Sequence, residues 1–231
     1  MKKEIFTLSL LLLFGAGLYA QPKAVGEPRV IAKMDEPLTR PSWSPDGTKL
    51  FFTSHEGLWE VSVTGANLQE ASVETGNQLR AANNSLLQQM IDDPMGVASK
   101  VEALHSLSEH IIFNPVLSPQ GDKIVFQAGS GLYICDADRQ ADASSLRRFD
   151  QGTRATWTPD GKYLVAMVEG NDGHFITKGE LISIDVSTGS KSILLSSDKY
   201  IAFSPAISPD GKKLAFEDYA SGAVYIMDIQ Y

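Results

Sequence analysis

One short pattern recurs four times in this chain, and no other feature narrows its possible folds as far. The segments Arg40-Pro41-Ser42-Trp43-Ser44-Pro45-Asp46-Gly47, Asn114-Pro115-Val116-Leu117-Ser118-Pro119-Gln120-Gly121, Arg154-Ala155-Thr156-Trp157-Thr158-Pro159-Asp160-Gly161 and Ser204-Pro205-Ala206-Ile207-Ser208-Pro209-Asp210-Gly211 align without gaps. Their Ser or Thr residues stand at 44, 118, 158 and 208, spaced by 74, 40 and 50 residues. In each copy the proline presets φ for a turn, Asp can bond nearby backbone amides, and Gly accepts positive φ. The motif is therefore a chain reversal. Its aspartates recur at one structural position, and Gln120 replaces one of them, so they are turn formers rather than a catalytic or metal-binding set.

Each reversal leads into a β-rich run: Leu50-Phe51-Phe52, Ile124-Val125-Phe126, Leu164-Val165-Ala166 and Leu214-Ala215-Phe216. A turn follows, then a second run: Leu58–Val61, Leu132–Cys135, Leu181–Ile184 and Val224–Met227. A more polar fourth strand leads to the next copy. Units of four strands at a period near 40 residues are blades of a β-propeller. The last copy stops after its third strand, while Arg29–Met34 is a spare strand ahead of the first motif. The expected fold is all-β: a four-bladed β-propeller closed by an N-terminal strand, which removes free sheet edges.

These repeats resemble the Pro-Asp-containing propeller repeats of the TolB family, which also occur in the propellers of prolyl oligopeptidase-like enzymes. The resemblance covers most of residues 28–231. Family members usually carry six to eight blades, often with a second domain, whereas four motifs stand here. The resemblance implies a propeller and no particular chemistry.

The first 20 residues read as a secretory signal peptide. Met1-Lys2-Lys3 is a basic start, Ile5–Phe14 is apolar, and small residues precede Ala20. The apolar run is too short for the roughly 20 residues of a spanning helix. Cleavage near Ala20 would leave residues 21–231 as the propeller domain, periplasmic or secreted. The formal charge of −8 disfavours nucleic acid and anionic lipid as partners. Cys135 is the only cysteine, so no internal disulfide forms and the residue is expected to be buried in a strand.

The long first spacing implies a helical insert at about 65–99, between blades one and two. Leu79, Ala82, Leu86, Met90 and Ile91 share a helical face, and Asp93-Pro94 could open a second helix reaching Val97 and Val101. Lys100–Leu107 aligns with Lys191–Ser197 and is favoured over Leu68–Val73 as the outer strand of blade one. The insert is read first as a cover for the propeller, and second as a partner-binding element or lid.

No Gly-x-Ser-x-Gly or His-Glu-x-x-His segment occurs, and His55, His105, His110 and His174 form no metal-ligating spacing. The Gly170–His174 stretch reads as a hairpin turn, not a calcium loop. No cofactor or metal is therefore expected. Propellers bind where inner strands converge, so Arg40, Asn114, Arg154 and Ser204, which start those strands, are the candidate channel-mouth site. Two arginines there could receive a carboxylate. A non-catalytic binding or scaffold module of the cell envelope is the leading reading, its partner an envelope protein or peptide. The alternatives are a propeller enzyme acting on glycan or peptide, and a carrier of a small molecule or metal ion.

Overall fold

The structure, a computed structural model, describes residues 20–72, 75 and 84–231. The expected leader therefore lies almost wholly outside the described residues, as do Leu79 and Ala82. Four antiparallel four-stranded sheets form the blades of a β-propeller. Blade one holds β2 (Thr39–Trp43), β3 (Lys49–Thr53), β4 (Leu58–Ser62) and β5 (Gln69–Glu70). Blade two holds β6 (Ile112–Leu117), β7 (Lys123–Ala128), β8 (Gly131–Asp136) and β9 (Arg147–Phe149). Blade three holds β10 (Thr153–Trp157), β11 (Tyr163–Asn171), β12 (Ile176–Asp185) and β13 (Lys191–Leu195). Blade four holds β14 (Ala202–Ile207), β15 (Lys213–Asp218) and β16 (Val224–Gln230), with β1 (Lys23–Ala32) as its outer strand. Arg29 faces Ile226 and Val30 faces Tyr225 in that last pairing, so the expected closing strand is where the repeat count put it.

The repeated motif makes the same turn in every blade. Ser44 Oγ donates to Asp46 Oδ1 at 2.6 Å and accepts from Lys49 N at 2.9 Å. Thr158 with Asp160 and Ser208 with Asp210 repeat the first bond at 2.6 Å. At Asp46 and Asp210 the serine bond favours the ionised carboxylate: Asp46 is held down at about 2, chiefly by Ser44, and Asp210 is lowered chiefly by Ser208. In blade two Gln120 lacks a carboxylate, and Asp122 takes the bond from Ser118 Oγ at 2.8 Å. The turn glycines Gly47, Gly121, Gly161 and Gly211 all have φ between 68° and 75°, a backbone conformation that residues with a Cβ rarely adopt.

Both faces of each second strand are buried, which is why the sequence shows unbroken apolar triplets there. Leu214 and Phe216 pack toward blade three, and Ala215 between them packs toward blade one. Two tryptophans bolt alternate interfaces: Trp43 Nε1 donates to Ala206 O at 2.9 Å, and Trp157 Nε1 to Val116 O at 3.0 Å. Cys135 is fully buried in β8, as expected.

The insert is helical, with two corrections. Helix α1 (Ser85–Asp92) is capped by Asn84, whose side chain accepts from Leu86 N and Leu87 N and donates to Ala137 O. Leu86, Leu87 and Met90 are buried, but Ile91 is 50% exposed and does not share that face. Leu87 takes its place because its neighbours on the buried stripe are Leu86 and Met90. Helix α2 (Val97–Lys100) buries Val97, and Val101 just beyond it is buried too. Asp93 bonds Gly96 N at 3.0 Å ahead of that helix. The favoured outer strand of blade one, Lys100–Leu107, is instead a 3₁₀ helix over Glu102–Leu107. Its Ala103, Leu104 and Leu107 are buried, a spacing a strand could not place on one face. The outer strand is β5, Gln69–Glu70, inside the rejected stretch. Together these helices cover the face of blade two turned away from blade three, against Ile124, Phe126 and Cys135.

Candidate functional site

Every innermost strand is broken at the same place. The pairing register slips between Thr39 and Ser42, Phe113 and Val116, Thr153 and Thr156, and Phe203 and Ala206. At each bulge the first looped residue is left-handed: Arg40 at φ 54°, Asn114 at 47°, Arg154 at 47° and Ser204 at 46°. Of these only Asn adopts that conformation readily, and the others cost roughly 1–2 kcal/mol each in the backbone. Pro41, Pro115 and Pro205 follow three of them, suited to a bulge because no ladder N–H is needed there. Bulges re-aim side chains, and these four are the residues that the sequence singles out.

The structure brings three of the four to one cleft and leaves Ser204 outside its lining. Arg40, Asn114 and Arg154 line a cleft of about 540 Å³ with Phe113, Gln127 and Glu169. Ser204 stands behind them, its Oγ accepting from Arg154 Nη1 at 3.5 Å. The Arg154 guanidinium lies 5.4 Å over the Phe203 ring, which stacks on Tyr219 at 5.1 Å. A cation over an aromatic face keeps its charge while its orientation is restricted.

Two acceptors that sequence reasoning missed hold the bulges in register. Glu217 of β15 is 7% exposed and accepts from the backbone N–H of Arg40 across the blade-four to blade-one interface. It also accepts from Ser204 Oγ at 3.3 Å. Burial raises the Glu217 pKa, opposed by the Arg40 N–H and by the charges of Arg154 and Arg40. Gln127 occupies the same register position in blade two. Its Oε1 accepts from Arg154 N at 3.0 Å and from Asn114 Nδ2 at 2.7 Å. A signal for both was present: each ends an apolar triplet where the other two repeats carry Thr53 and Met167.

A larger lateral groove of about 630 Å³ beside blade two is lined by Lys123, Asp136, Asp142 and Arg147. Its cations are already engaged, Lys123 with Asp136 at 2.8 Å and Arg147 with the carbonyls of Val186 and Ser187. Among the described residues no group of three or more His, Cys, Asp and Glu side chains is arranged to hold a metal ion. No helix among them is long and apolar enough to cross a membrane.

Fold and cleft together define a four-bladed β-propeller whose inner-strand bulges bring two arginines to one cleft. No protein-family model matches the sequence, and no curated protein does. Solved structures match in fold. TolB from Acinetobacter baumannii is 20% identical over 87% of this chain and 45% of its own, with a TM-score of 0.36. A TolB-type structure from Agrobacterium tumefaciens is 17% identical over 86% of this chain and 60% of its own, with a TM-score of 0.40. An oligogalacturonate lyase from Vibrio parahaemolyticus is 14% identical over 87% and 51%, at 0.36. The chain thus spans 45–60% of the length of these proteins, and the likeness is one of fold.

Proposed function

We propose that this protein is a non-catalytic binding module of the cell envelope that receives a carboxylate-bearing group of a protein or peptide partner at its channel mouth. The observation that carries the reading is the convergence of Arg40 and Arg154, from alternate blades, on one cleft. Neither residue could be placed beside the other by sequence distance, and both adopt backbone conformations that cost free energy. Strain of that kind persists at binding sites because the surrounding structure over-determines it. Two guanidinium groups offer paired, charge-assisted hydrogen bonds to one carboxylate. Envelope location is supported by the basic and apolar pattern of residues 1–20.

The test of the site is a titration with N-acetylalanine and with its uncharged amide, followed by backbone amide shifts. The acid is expected to move the resonances of Arg40, Asn114 and Arg154, and the amide is not. The double substitution Arg40→Ala/Arg154→Ala is expected to abolish the response. Equal shifts from acid and amide, or an unchanged response in the double variant, would overturn the carboxylate reading. Export is tested separately by fusing residues 1–30 to a reporter active only outside the cytoplasm.

A further inference from the structure

One wall of the mouth cleft has an unmatched backbone. Strands β11 and β12 have nine and ten residues, whereas the second and third strands of the other blades have five to seven. Strand β10 begins at Thr153, opposite Met167. Beyond that point Val168–Asn171 pairs with β12 on one side, Val168 with Glu180 and Asn171 with Ile176. Among the described residues no strand pairs with its other side. The chain entering β10 makes no strand pairing with that side either. Gly152 lies against the face of the sheet, where a Cβ would stand 2.9 Å from the Cβ of Ala166 and 3.3 Å from the Ile184 side chain. The polypeptide arrives from β9 of blade two, and among the described residues no strand continues the line of β10 past Met167, although Gln151 and Gly152 line the same cleft.

The open edge is held in place. Gly179 of β12 bridges to Ile201 at the start of blade four. The approach is so close that a Cβ on Gly179 would lie 2.7 Å from the Ala202 backbone. The hairpin tip is tied by Asp172 Oδ1, which accepts from His174 N at 2.9 Å and Phe175 N at 2.8 Å. Val168 and Glu169 line the same cleft as Arg154 and Arg40. A free strand edge beside a pair of cations is suited to an extended chain that ends in a carboxylate.

We propose that the mouth takes the C-terminal tail of a partner protein as an added β-strand, antiparallel to Val168–Asn171, with its terminal carboxylate on Arg154 and Arg40. This rests on the carboxylate reading above and adds the backbone recognition. Direction follows from topology. A strand antiparallel to β11 runs the same way as β10, so its C-terminal end arrives at Thr153 and Arg154. The opposite orientation would bring an ammonium group to two guanidinium groups. Four residues of extended chain, roughly 13 Å, match the four residues of open edge.

The probe is a pool of fluorescent pentapeptides with random side chains and free C-terminal carboxylates, applied to the immobilised full chain. Companion pools carry a C-terminal amide, or backbone N-methyl groups at odd or at even positions counted from the C-terminus. An antiparallel strand presents its N–H groups to a given neighbour only at alternate residues. The free-acid pool is expected to be retained, and the amide pool at least 10-fold less. One methylated pool is expected to lose binding at least 10-fold while the other keeps it. Hydrogen exchange is expected to slow within residues 168–171 when the free-acid pool is bound. If amidation removes binding but the two methylated pools behave alike, strand addition is overturned and the carboxylate reading stands. If the amide pool binds as well as the acid, or no pool is retained, both are overturned.

Discussion

Arg40 and Glu217 show how much a single bulge asks of its residues. Arg40 holds φ at 54°, and its N–H is paired with a buried carboxylate from the preceding blade. Replacing Arg40 by Gly or by Ala removes the same guanidinium, but only Gly relieves the backbone. Arg40→Gly is therefore expected to be about 1 kcal/mol more stable than Arg40→Ala, read from urea midpoints at equal slope. Both are expected to weaken carboxylate binding alike. Glu217 titrates against Arg40 and Arg154, which face it from β2 and β10, and burial raises its pKa above the usual carboxyl value. Above that raised value the ionised group offsets one of the two positive charges and withdraws stability. As pH falls through it, protonation restores stability and leaves both arginines uncompensated. N-acetylalanine is therefore expected to bind more tightly at mildly acidic pH than at pH 8, while its own carboxylate remains ionised. Glu217→Gln is expected to bind at all pH values as the wild type does in acid. A wild-type affinity independent of pH would contradict this.

At the level of elements, the insert behaves as packing for blade two. Leu104 is fully buried among Leu86, Met90, Ile124 and Phe126, while Ile91 on helix α1 is half exposed. Leu104→Ala is expected to cost about 3 kcal/mol, and Ile91→Ala no more than about 0.5 kcal/mol, in denaturant unfolding. Equal losses would mean that α1 is rotated relative to the packing described. The same elements show where local pattern misleads. Lys100–Leu107 resembles the outer strand of blade three in composition, yet its apolar residues sit one and four apart and bury as a 3₁₀ turn. The true outer strand, Gln69–Glu70, is two exposed polar residues with no hydrophobic signal at all. Strand pairing is decided there by the neighbouring β4 backbone, which no reading of side chains reports.

For the whole molecule, the buried residues fall into four clusters between and beside the blades, and Cys135 reports on the one that blade two shares with the insert. The thiol is buried in β8 and pushed up to about 12 by desolvation. Only the thiolate reacts, so alkylation by iodoacetamide at pH 8 is expected to proceed only through global unfolding. The labelling rate should then rise with urea at the slope of the equilibrium transition. Labelling that is fast in water, or independent of urea, would show that blade two opens by itself. Blade number, strand order, the turn type and the place of the closing strand were all readable beforehand. Those features arise within a few residues of one another or repeat four times, and local sterics and period-two burial act on them directly. The left-handed bulges, the burial of Glu217, the cleft joining Arg40 to Arg154 and the seat of the insert depend on partners from 13 to 177 residues away. Only packing of the assembled blades brings such groups within hydrogen-bond range, and that decision belongs to the tertiary structure.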